Sequence, residues 1–202
     1  KVAKDEELNY KGEHGEAAFY GPKIDIFVSD ALNRRWQCAT IQLDFVQPER
    51  FGLEYTDADG SAKRPAMVHK AMLGSIERFL SVYIEHTAGR FPIWLSPEQV
   101  RIITVNQTEP VVVFADKIVT LAKELGVRTY VDNSSESVGK KIRNAEVAKV
   151  PYTLVIGDKE ITSNQVIPRV RSDLVVIAAH PELPVEDFIK TVANESKSRV
   201  NK

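Results

Sequence analysis

The first half of the chain opens with two stretches in which apolar and polar residues alternate. Residues 17–28 and residues 36–45 both show this pattern, and turn-forming residues at 29–33 separate them. Side chains of a strand point alternately to its two faces, so this alternation indicates strands with one face toward a core. Two such stretches joined by a short polar turn predict an antiparallel pair.

The second stretch has two faces of different character. Under strict alternation, one face carries Trp36, Cys38, Thr40, Gln42 and Asp44. The opposite face then carries Gln37, Ala39, Ile41, Leu43 and Phe45. Such a strand is able to line a polar pocket above an apolar core. The simpler alternative is a sheet face that meets water, although the preference of free cysteine for burial argues mildly against it.

A polar stretch and then a helix complete the first half. Residues 47–65 contain the turn signal Asp59-Gly60 and predict a loop or a peripheral hairpin. A helix is predicted over residues 74–86. Apolar residues recur there at helical spacing, which predicts a buried stripe. The stripe consists of Leu73, Ile76, Leu80 and Ile84.

The start of this helix carries candidate chemistry. Arg78 follows Gly74 by one helical turn and lies on the same face. A helix N-terminus suits a phosphate, and a guanidinium is able to stack on a base or to pair with a phosphate. An ordinary amphipathic helix with one solvated arginine explains the same residues equally well. His69, just upstream, has the chemistry of a zinc ligand, but a hydrogen-bonded, half-buried histidine is the commoner case.

The second half alternates between strand and helix patterns. Strands are predicted at residues 100–105, 127–131, 152–156 and 161–170, and helices at 115–125, 138–148 and 185–197. This order predicts parallel strands with helical crossovers and a mixed sheet at the end. We therefore predict an α/β chain of two domains, residues 1–95 and 96–202.

Composition narrows the class of protein only slightly. The 27 Lys and Arg residues balance 28 Asp and Glu residues, so net charge gives no support for nucleic-acid binding, which needs only a local basic surface. The lone cysteine, Cys38, excludes an internal disulfide and fits a reducing, cytoplasmic location. No apolar run is long enough to span a membrane. Because the first residue is not Met, we expect a piece of a longer chain.

Five motifs in order resemble the threonyl-tRNA synthetase family. They are Phe19-Tyr20-Gly21-Pro22-Lys23, the strand at residues 36–45, the segment at residues 69–78, Phe91-Pro92-Ile93-Trp94-Leu95-Ser96-Pro97, and the segment at residues 150–160. The resemblance covers nearly the whole chain. It implies an antiparallel-sheet remnant of a class II synthetase catalytic domain, followed by a mixed-sheet α/β anticodon-binding domain.

The resemblance also implies roles for residues of the first domain. Arg78 matches the arginine that packs against ATP, with Ser75 beside it and Gln37 on the nucleotide side. Tyr20, Lys23 and Gln42 match positions that line the threonine and adenylate pocket, and Lys23 and Arg78 are the candidate catalytic residues. His69 matches a third zinc ligand, whose two companions lie upstream in the family. The implied cofactor is Zn²⁺, and the implied substrates are threonine and ATP with Mg²⁺.

In the second domain, the resemblance implies that the chain reads the anticodon of threonine tRNA. The matching positions are Arg143, Lys149, Glu160, Arg169 and Arg171. Lys140, Lys141 and Arg143 are expected to add phosphate contacts, although a solvated face is the alternative for these residues. The sequence departs from the family at residues 132–137, which are serine-rich, and at residues 175–179, an apolar segment with no assigned role.

Two functions and one sister family therefore remain open. The chain is either part of a working, homodimeric threonine–tRNA ligase or a non-catalytic tRNA-binding module derived from one. The motif at residues 19–23 and the lone His69 argue against the related enzymes for proline, glycine or histidine. We expect the 202 residues alone not to form threonyl-adenylate, because the second-motif arginine and two zinc ligands would lie upstream.

Overall fold

The computed structural model describes residues 2–174 and 182–199, with the backbone alone at residues 2 and 3. The apolar segment at residues 175–179 lies outside the described residues. The chain divides into two compact units, residues 1–86 and residues 87–202. The predicted domain boundary after residue 95 stays a prediction. Within the described residues, no helix is long and apolar enough to cross a membrane.

The first unit contains a three-stranded antiparallel sheet in the order β1-β2-β5. Its elements are α1 (Val2–Asp5), β1 (Lys23–Ser29), β2 (Arg35–Asp44), α2 (Val46–Arg50), β3 (Tyr55–Thr56), β4 (Ala62–Lys63), β5 (Met67–Ala71) and α3 (Ile76–Thr87). The predicted antiparallel pair is confirmed as β1 and β2. The predicted peripheral hairpin corresponds to β3 and β4. Strand β5, which carries His69, was not predicted.

A β-bulge interrupts the pairing of β1 with β2. Ile26 pairs with Ala39, but the next residue, Phe27, pairs with Gln37, so Cys38 is an extra residue in β2. A bulge reverses the side-chain alternation of its strand. The strict alternation predicted for β2 is therefore wrong at Gln37, which joins the face of Thr40 and Gln42 instead of the opposite face.

The apolar stripe of α3 is not buried. The side chains of Ile76, Leu80 and Ile84 are each more than 40% exposed, and α3 has no buried residue. The helix instead turns Phe79 and Tyr83 toward the β1–β2 turn. The prediction of a buried stripe is wrong for this chain.

The second unit contains a four-stranded sheet in the order β10-β8-β6-β7. Its elements are a 3-10 turn (Ile93–Leu95), β6 (Val100–Thr104), α4 (Glu109–Glu124), β7 (Thr129–Asp132), α5 (Val138–Val147), β8 (Tyr152–Ile156), α6 (Asp158–Ser163), β9 (Gln165–Val166), β10 (Arg169–Val170), β11 (Leu183–Pro184) and α7 (Val185–Ser198). The first three strands are parallel and β10 is antiparallel to β8, which confirms the mixed sheet. Because crossovers are right-handed and β7 and β8 flank β6, α4 and α5 lie on opposite faces of the sheet.

The strand predicted at residues 161–170 is largely wrong, because a short helix begins there first. The Glu160 carboxylate accepts the Gly157 N–H at 2.9 Å and so caps the start of α6. Asn164 then ends the helix in the left-handed conformation at φ +53°. Only the short strands β9 and β10 remain of the predicted strand.

The second unit has a continuous core between its sheet and helices α4 and α7. Tyr152 of β8 is completely buried and meets Phe188 of α7 edge-to-face at 5.6 Å between ring centroids. Its hydroxyl donates to Glu195 at 2.6 Å. Burial and the neighbouring carboxylate raise the pKa of the Tyr152 phenol, so it stays a proton donor. This hydrogen bond joins the central sheet to α7.

Candidate functional sites

One face of the sheet in the first unit gathers most of the polar residues that the sequence singled out. Lys23 lies directly opposite Gln42, and Gln42 lies directly opposite His69 on the other side. Directly opposed residues of an antiparallel pair share a face. The Tyr20 hydroxyl donates to Gln42 Oε1 at 2.8 Å and so joins the same group. The candidate residues Tyr20, Lys23, Gln42 and His69 thus lie together.

A close backbone approach places Tyr20 there. Tyr20 and Pro22 accept N–H groups from Phe45 and Leu43, so the segment before β1 runs alongside β2. A Cβ atom on Gly21 would overlap the Leu43 carbonyl oxygen. Only glycine fits between these two backbones, which explains Gly21 of the motif in physical terms.

Asp25, which the sequence did not single out, organises the middle of this polar face. Its carboxylate accepts Gln37 Nε2 at 2.7 Å and pairs with Lys23 Nζ at 2.9 Å. Burial opposes ionisation, but the Lys23 ammonium and the Thr40 hydroxyl together outweigh it and lower the pKa of Asp25. The same ion pair raises the pKa of Lys23. Asp25 therefore holds a cation and an amide donor in fixed positions on one side of the sheet.

A second unpredicted carboxylate orients His69. Asp44 is buried, and its Oδ2 lies 2.8 Å from His69 Nε2. Its Oδ1 accepts the N–H groups of Val46 and Gln47, both at 2.9 Å. Burial would raise the pKa of Asp44, but these backbone donors and His69 hold it below the usual value. The second ring nitrogen of His69 forms no hydrogen bond with a described residue.

Arg78 is anchored to β2 beside the bulge. Ser75 caps α3, since its hydroxyl accepts the Arg78 N–H at 3.2 Å. Gly74 has φ +58°, and a Cβ there would come within 3.3 Å of the carbonyl oxygens of Gln37 and Cys38. Arg78 Nη1 donates to the Gln37 carbonyl at 3.1 Å, while most of the arginine stays exposed. The backbone carbonyl group of Gln37 thus holds the Arg78 guanidinium, while the side chain of Gln37 lies on the polar face and donates to Asp25.

The candidate zinc ligand has a suitable environment but an incomplete donor set. Ligating histidines commonly give their other ring nitrogen to a carboxylate, as His69 does with Asp44. However, the described residues contain no group of three His, Cys, Asp or Glu side chains able to hold a metal ion. Cys38 is buried within the sheet. His69 thus fits a zinc site only if further donors come from outside the described residues.

In the second unit, two candidate arginines are free for a ligand. Arg143 on α5 and Arg169 on β10 are exposed, and no hydrogen bond or ion pair to another described residue is recorded for either. Lys149 follows α5 in the left-handed conformation, at φ +58°. Glu160 is half-buried and caps α6 with one carboxylate oxygen. These four residues lie on four different segments of the unit.

Arg171 differs from the other candidates because its guanidinium is buried and bonded within the unit. Its guanidinium side chain is only 7% exposed and forms a two-pronged ion pair with Asp173 at 2.7 and 3.0 Å. It also donates to the carbonyl oxygens of Lys149 and Phe91, both at 2.8 Å. This arrangement fits a structural role, in which Arg171 fixes the backbone of Lys149 from the interior.

Lys141 is also interior, which contradicts the expected phosphate contact. Its side chain reaches the carboxyl ends of two strands and donates to the carbonyl oxygens of Thr104 at 3.0 Å and Asp132 at 3.3 Å. Only 1% of the residue is exposed. Lys141 therefore joins β6 to β7, whereas its neighbour Lys140 is exposed and pairs with Glu136.

Comparisons with known families divide the chain in the same way. Residues 3–87 match the tRNA synthetase class II core domain (G, H, P, S and T), and residues 99–195 match the anticodon binding domain. Prolyl-tRNA synthetase from Cryptosporidium parvum, at 22% identity and a TM-score of 0.64, shows the same fold. The chain is thus built from two domains of class II aminoacyl-tRNA synthetases, a core domain followed by an anticodon binding domain.

More similar relatives narrow the class. The chain is 50% identical over 195 residues to the threonine–tRNA ligase of Pelobacter propionicus, and 50% identical over 185 residues to that of Chlamydia felis. The RNA binding domain of threonyl-tRNA synthetase from Cryptosporidium parvum superimposes with a TM-score of 0.81 at 36% identity, covering 96% of this chain and 48% of that one. The chain belongs to the threonyl-tRNA synthetase family. The match to the Pelobacter relative spans 96% of this chain but only 30% of that protein. The match to the Chlamydia relative spans 91% of this chain and 28% of that protein.

The interior position of Lys141 predicts a loss of stability when its charge is removed. Lys141→Met keeps much of the side-chain length but removes the ammonium that donates to the buried carbonyl group of Thr104. The half-buried carbonyl group of Asp132 keeps only the Thr104 hydroxyl, at 3.4 Å. We expect the free energy of unfolding to fall by about 1.5 to 3 kcal/mol. The matched variant Lys140→Met loses only an exposed ion pair, so its free energy of unfolding should change by less than about 0.5 kcal/mol. Urea unfolding followed by circular dichroism measures both, and equal small effects would contradict the structural role.

Proposed function

We propose that this chain is the C-terminal part of a threonine–tRNA ligase, which activates threonine with ATP and transfers it to threonine tRNA. The observation that supports this most strongly is the complete polar face of the first unit, with Arg78 docked beside it. A domain kept only as a scaffold has no physical need for Asp25 to hold a cation, Lys23, and an amide donor, Gln37, side by side on one face of the sheet.

The residues of the first unit suit amino-acid activation. Joining the threonine carboxylate to the α-phosphate of ATP passes through a highly anionic transition state, which fixed cations and donors stabilise. In this proposal, Arg78 holds the nucleotide with Gln37 and Ser75 beside it. Lys23, Tyr20 and Gln42 line the adjoining pocket for threonine and its adenylate. Arg78 and Lys23 supply the positive charge, because both present cationic groups at a sheet face of fixed geometry.

The proposed zinc ion addresses the discrimination of threonine from valine. An apolar pocket separates these nearly isosteric side chains poorly, whereas a bound zinc ion is able to contact the amino and hydroxyl groups that threonine presents. His69 would supply one ligand, and Asp44 would orient it. The remaining donors would lie outside the described residues.

Zinc analysis of the intact protein tests the role of His69. We expect the purified full-length protein to hold about one zinc ion per chain, and His69→Ala to lose it because a ligand is missing. His86→Ala is the matched control, since His86 is also exposed to solvent but lies on α3 away from Asp44. Full zinc occupancy in His69→Ala would exclude His69 as a ligand.

The second unit is proposed to read the anticodon. Splayed bases present their Watson–Crick edges, which arginine donors and a carboxylate acceptor are able to recognise. Arg143 and Arg169 are free to do so, and Glu160 still has one carboxylate oxygen outside its helix cap. Lys149 is held in place by Arg171 through its own carbonyl group. We therefore give contact roles to Arg143, Lys149, Glu160 and Arg169, and a supporting role to Arg171.

Binding of threonine tRNA to the chain tests this assignment. We expect Arg143→Ala or Arg169→Ala to weaken binding by about 5- to 100-fold, the usual cost of a lost base contact. Lys117→Ala is the control, because Lys117 is an exposed cation on α4 at the opposite face of the sheet from α5. Each arginine variant should bind a tRNA with an altered anticodon no worse than the wild-type chain does. An equal loss for both tRNAs would show that the arginines contact only phosphates.

The alternative is a tRNA-binding module that has lost catalysis, and threonine-dependent exchange of pyrophosphate into ATP separates the two. We expect exchange by the full-length protein and none by the 202 residues alone. In the full-length protein, Arg78→Ala should lower the exchange rate by about 100-fold or more. Arg35→Ala, an exposed arginine of β2 that stacks on Phe27, should leave it unchanged. Absence of exchange in the full-length protein would favour the non-catalytic module.

A homodimeric parent stays a prediction from the family resemblance, and a cytoplasmic location stays a prediction as well. Neither is needed for the assignments above, which rest on residues within each unit.

A further inference from the structure

The β1–β2 turn contains a buried carboxylate with more partners than a turn requires. The side chain of Asp30 is only 3% exposed. Its Oδ1 accepts the N–H groups of Leu32 and Arg34, both at 2.9 Å, which closes the turn. The backbone N–H of Asp30 also donates to the carbonyl group of Arg34, which is a second hydrogen bond across the turn. The local geometry of the turn is thus satisfied by one carboxylate oxygen and the backbone.

The second oxygen of Asp30 points to a residue outside the turn. Oδ2 accepts the indole N–H of Trp36 at 3.0 Å, and Arg34 Nε lies 2.6 Å from the same oxygen. An indole ring rotates about only two side-chain bonds, so a hydrogen bond from its single N–H fixes its orientation. These donors also hold the pKa of Asp30 well below its usual value, so the carboxylate is charged. Trp36 is therefore fixed in one position.

The fixed ring of Trp36 supports Arg78. The Arg78 guanidinium carbon lies 5.9 Å from the centre of the ring, within the range of a cation–π contact. The same guanidinium donates to the carbonyl group of Gln37, the next residue after Trp36. Both contacts come from two consecutive residues of β2 at the bulge. They restrict an arginine that would otherwise be a long, mobile side chain on an exposed helix face.

We propose that Asp30 and Trp36 are positioning residues for nucleotide binding, with Asp30 fixing the Trp36 ring and the ring holding the Arg78 guanidinium ready for ATP. This inference rests on the proposed function of Arg78 as the arginine that holds the nucleotide. Asp30 lies outside every motif that carries the family resemblance, whereas Trp36 begins the motif at residues 36–45.

The variant Trp36→Phe tests the link with the least disturbance. It keeps an aromatic ring near Arg78 and leaves both hydrogen bonds of Oδ1 in place, but it removes the indole N–H that Asp30 holds. In the full-length protein we expect the KM for ATP in pyrophosphate exchange to rise by about 3- to 10-fold, the usual effect of one lost hydrogen bond. The KM for threonine should stay unchanged. Trp94→Phe, in the second unit, is the matched control and should change neither.

A double-mutant comparison separates positioning from general damage. If Trp36 acts through Arg78, Trp36→Phe should have no further effect on the KM for ATP in an Arg78→Ala background. A general loss of folding would instead weaken ATP and threonine binding alike, in both backgrounds, and would overturn the proposal. An unchanged KM for ATP in Trp36→Phe, with a raised KM in Arg78→Ala, would also overturn it while leaving the proposed function intact. If Arg78→Ala itself leaves the KM for ATP unchanged, the proposed role of Arg78 in nucleotide binding is contradicted, and the positioning role of Asp30 and Trp36 with it.

Discussion

The extra residue in β2 at Cys38 is the constraint on which the candidate site of the first unit depends. Without the bulge, Gln37 would point to the face of the sheet opposite Thr40 and Gln42, away from Asp25. The bulge also leaves the carbonyl groups of Gln37 and Cys38 facing Gly74, where a side chain would be crowded. One local irregularity therefore sets both the composition of the polar face and the approach of the helix that carries Arg78. Buried Cys38 fits this position because it is small and apolar.

The second unit uses buried polar residues for a comparable purpose. Lys141 joins the carboxyl ends of β6 and β7, and Arg171 fixes the backbone at Lys149 and Phe91. A buried charge is costly unless its hydrogen bonds are made, so these residues specify one arrangement of the loops around them. Arg143 and Arg169 stay exposed on the same framework. The interior cations Lys141 and Arg171 therefore fix the loops of this unit, while Arg143 and Arg169 lie at its surface.

Much of the fold followed from the sequence, and the failures have physical causes. Alternation identified β1 and β2, and the order of strands and helices identified the mixed sheet. Strand β5 was missed because its five residues, with His69 at the centre, alternate too briefly to stand out. The bulge at Cys38 was missed because no glycine or proline marks it. The α3 stripe was expected to be buried because periodicity reports an apolar face but not whether a described element covers it.

The candidate site was predictable only in part. Arg78, His69, Lys23 and Tyr20 came from motifs that resemble a family, not from their own spacing. The sequence did not predict the roles of the carboxylates Asp30 and Asp44. An aspartate is the same letter in the sequence whether its carboxylate faces water or is buried against a hydrogen-bond donor. Lys141 and Arg171 show the converse, since cations that suit a tRNA surface by sequence lie in the interior. Burial is a long-range property of the fold, and a local pattern does not contain it.

The position of the nucleotide is best determined by a crystal structure of the full-length protein with a non-hydrolysable ATP analogue. We expect the Arg78 guanidinium and the Gln37 side chain to contact the same nucleotide, with the bulge at Cys38 retained and Trp36 still bonded to Asp30. A nucleotide bound away from Arg78, or a regular β2 with Gln37 on the opposite face of the sheet, would contradict this expectation.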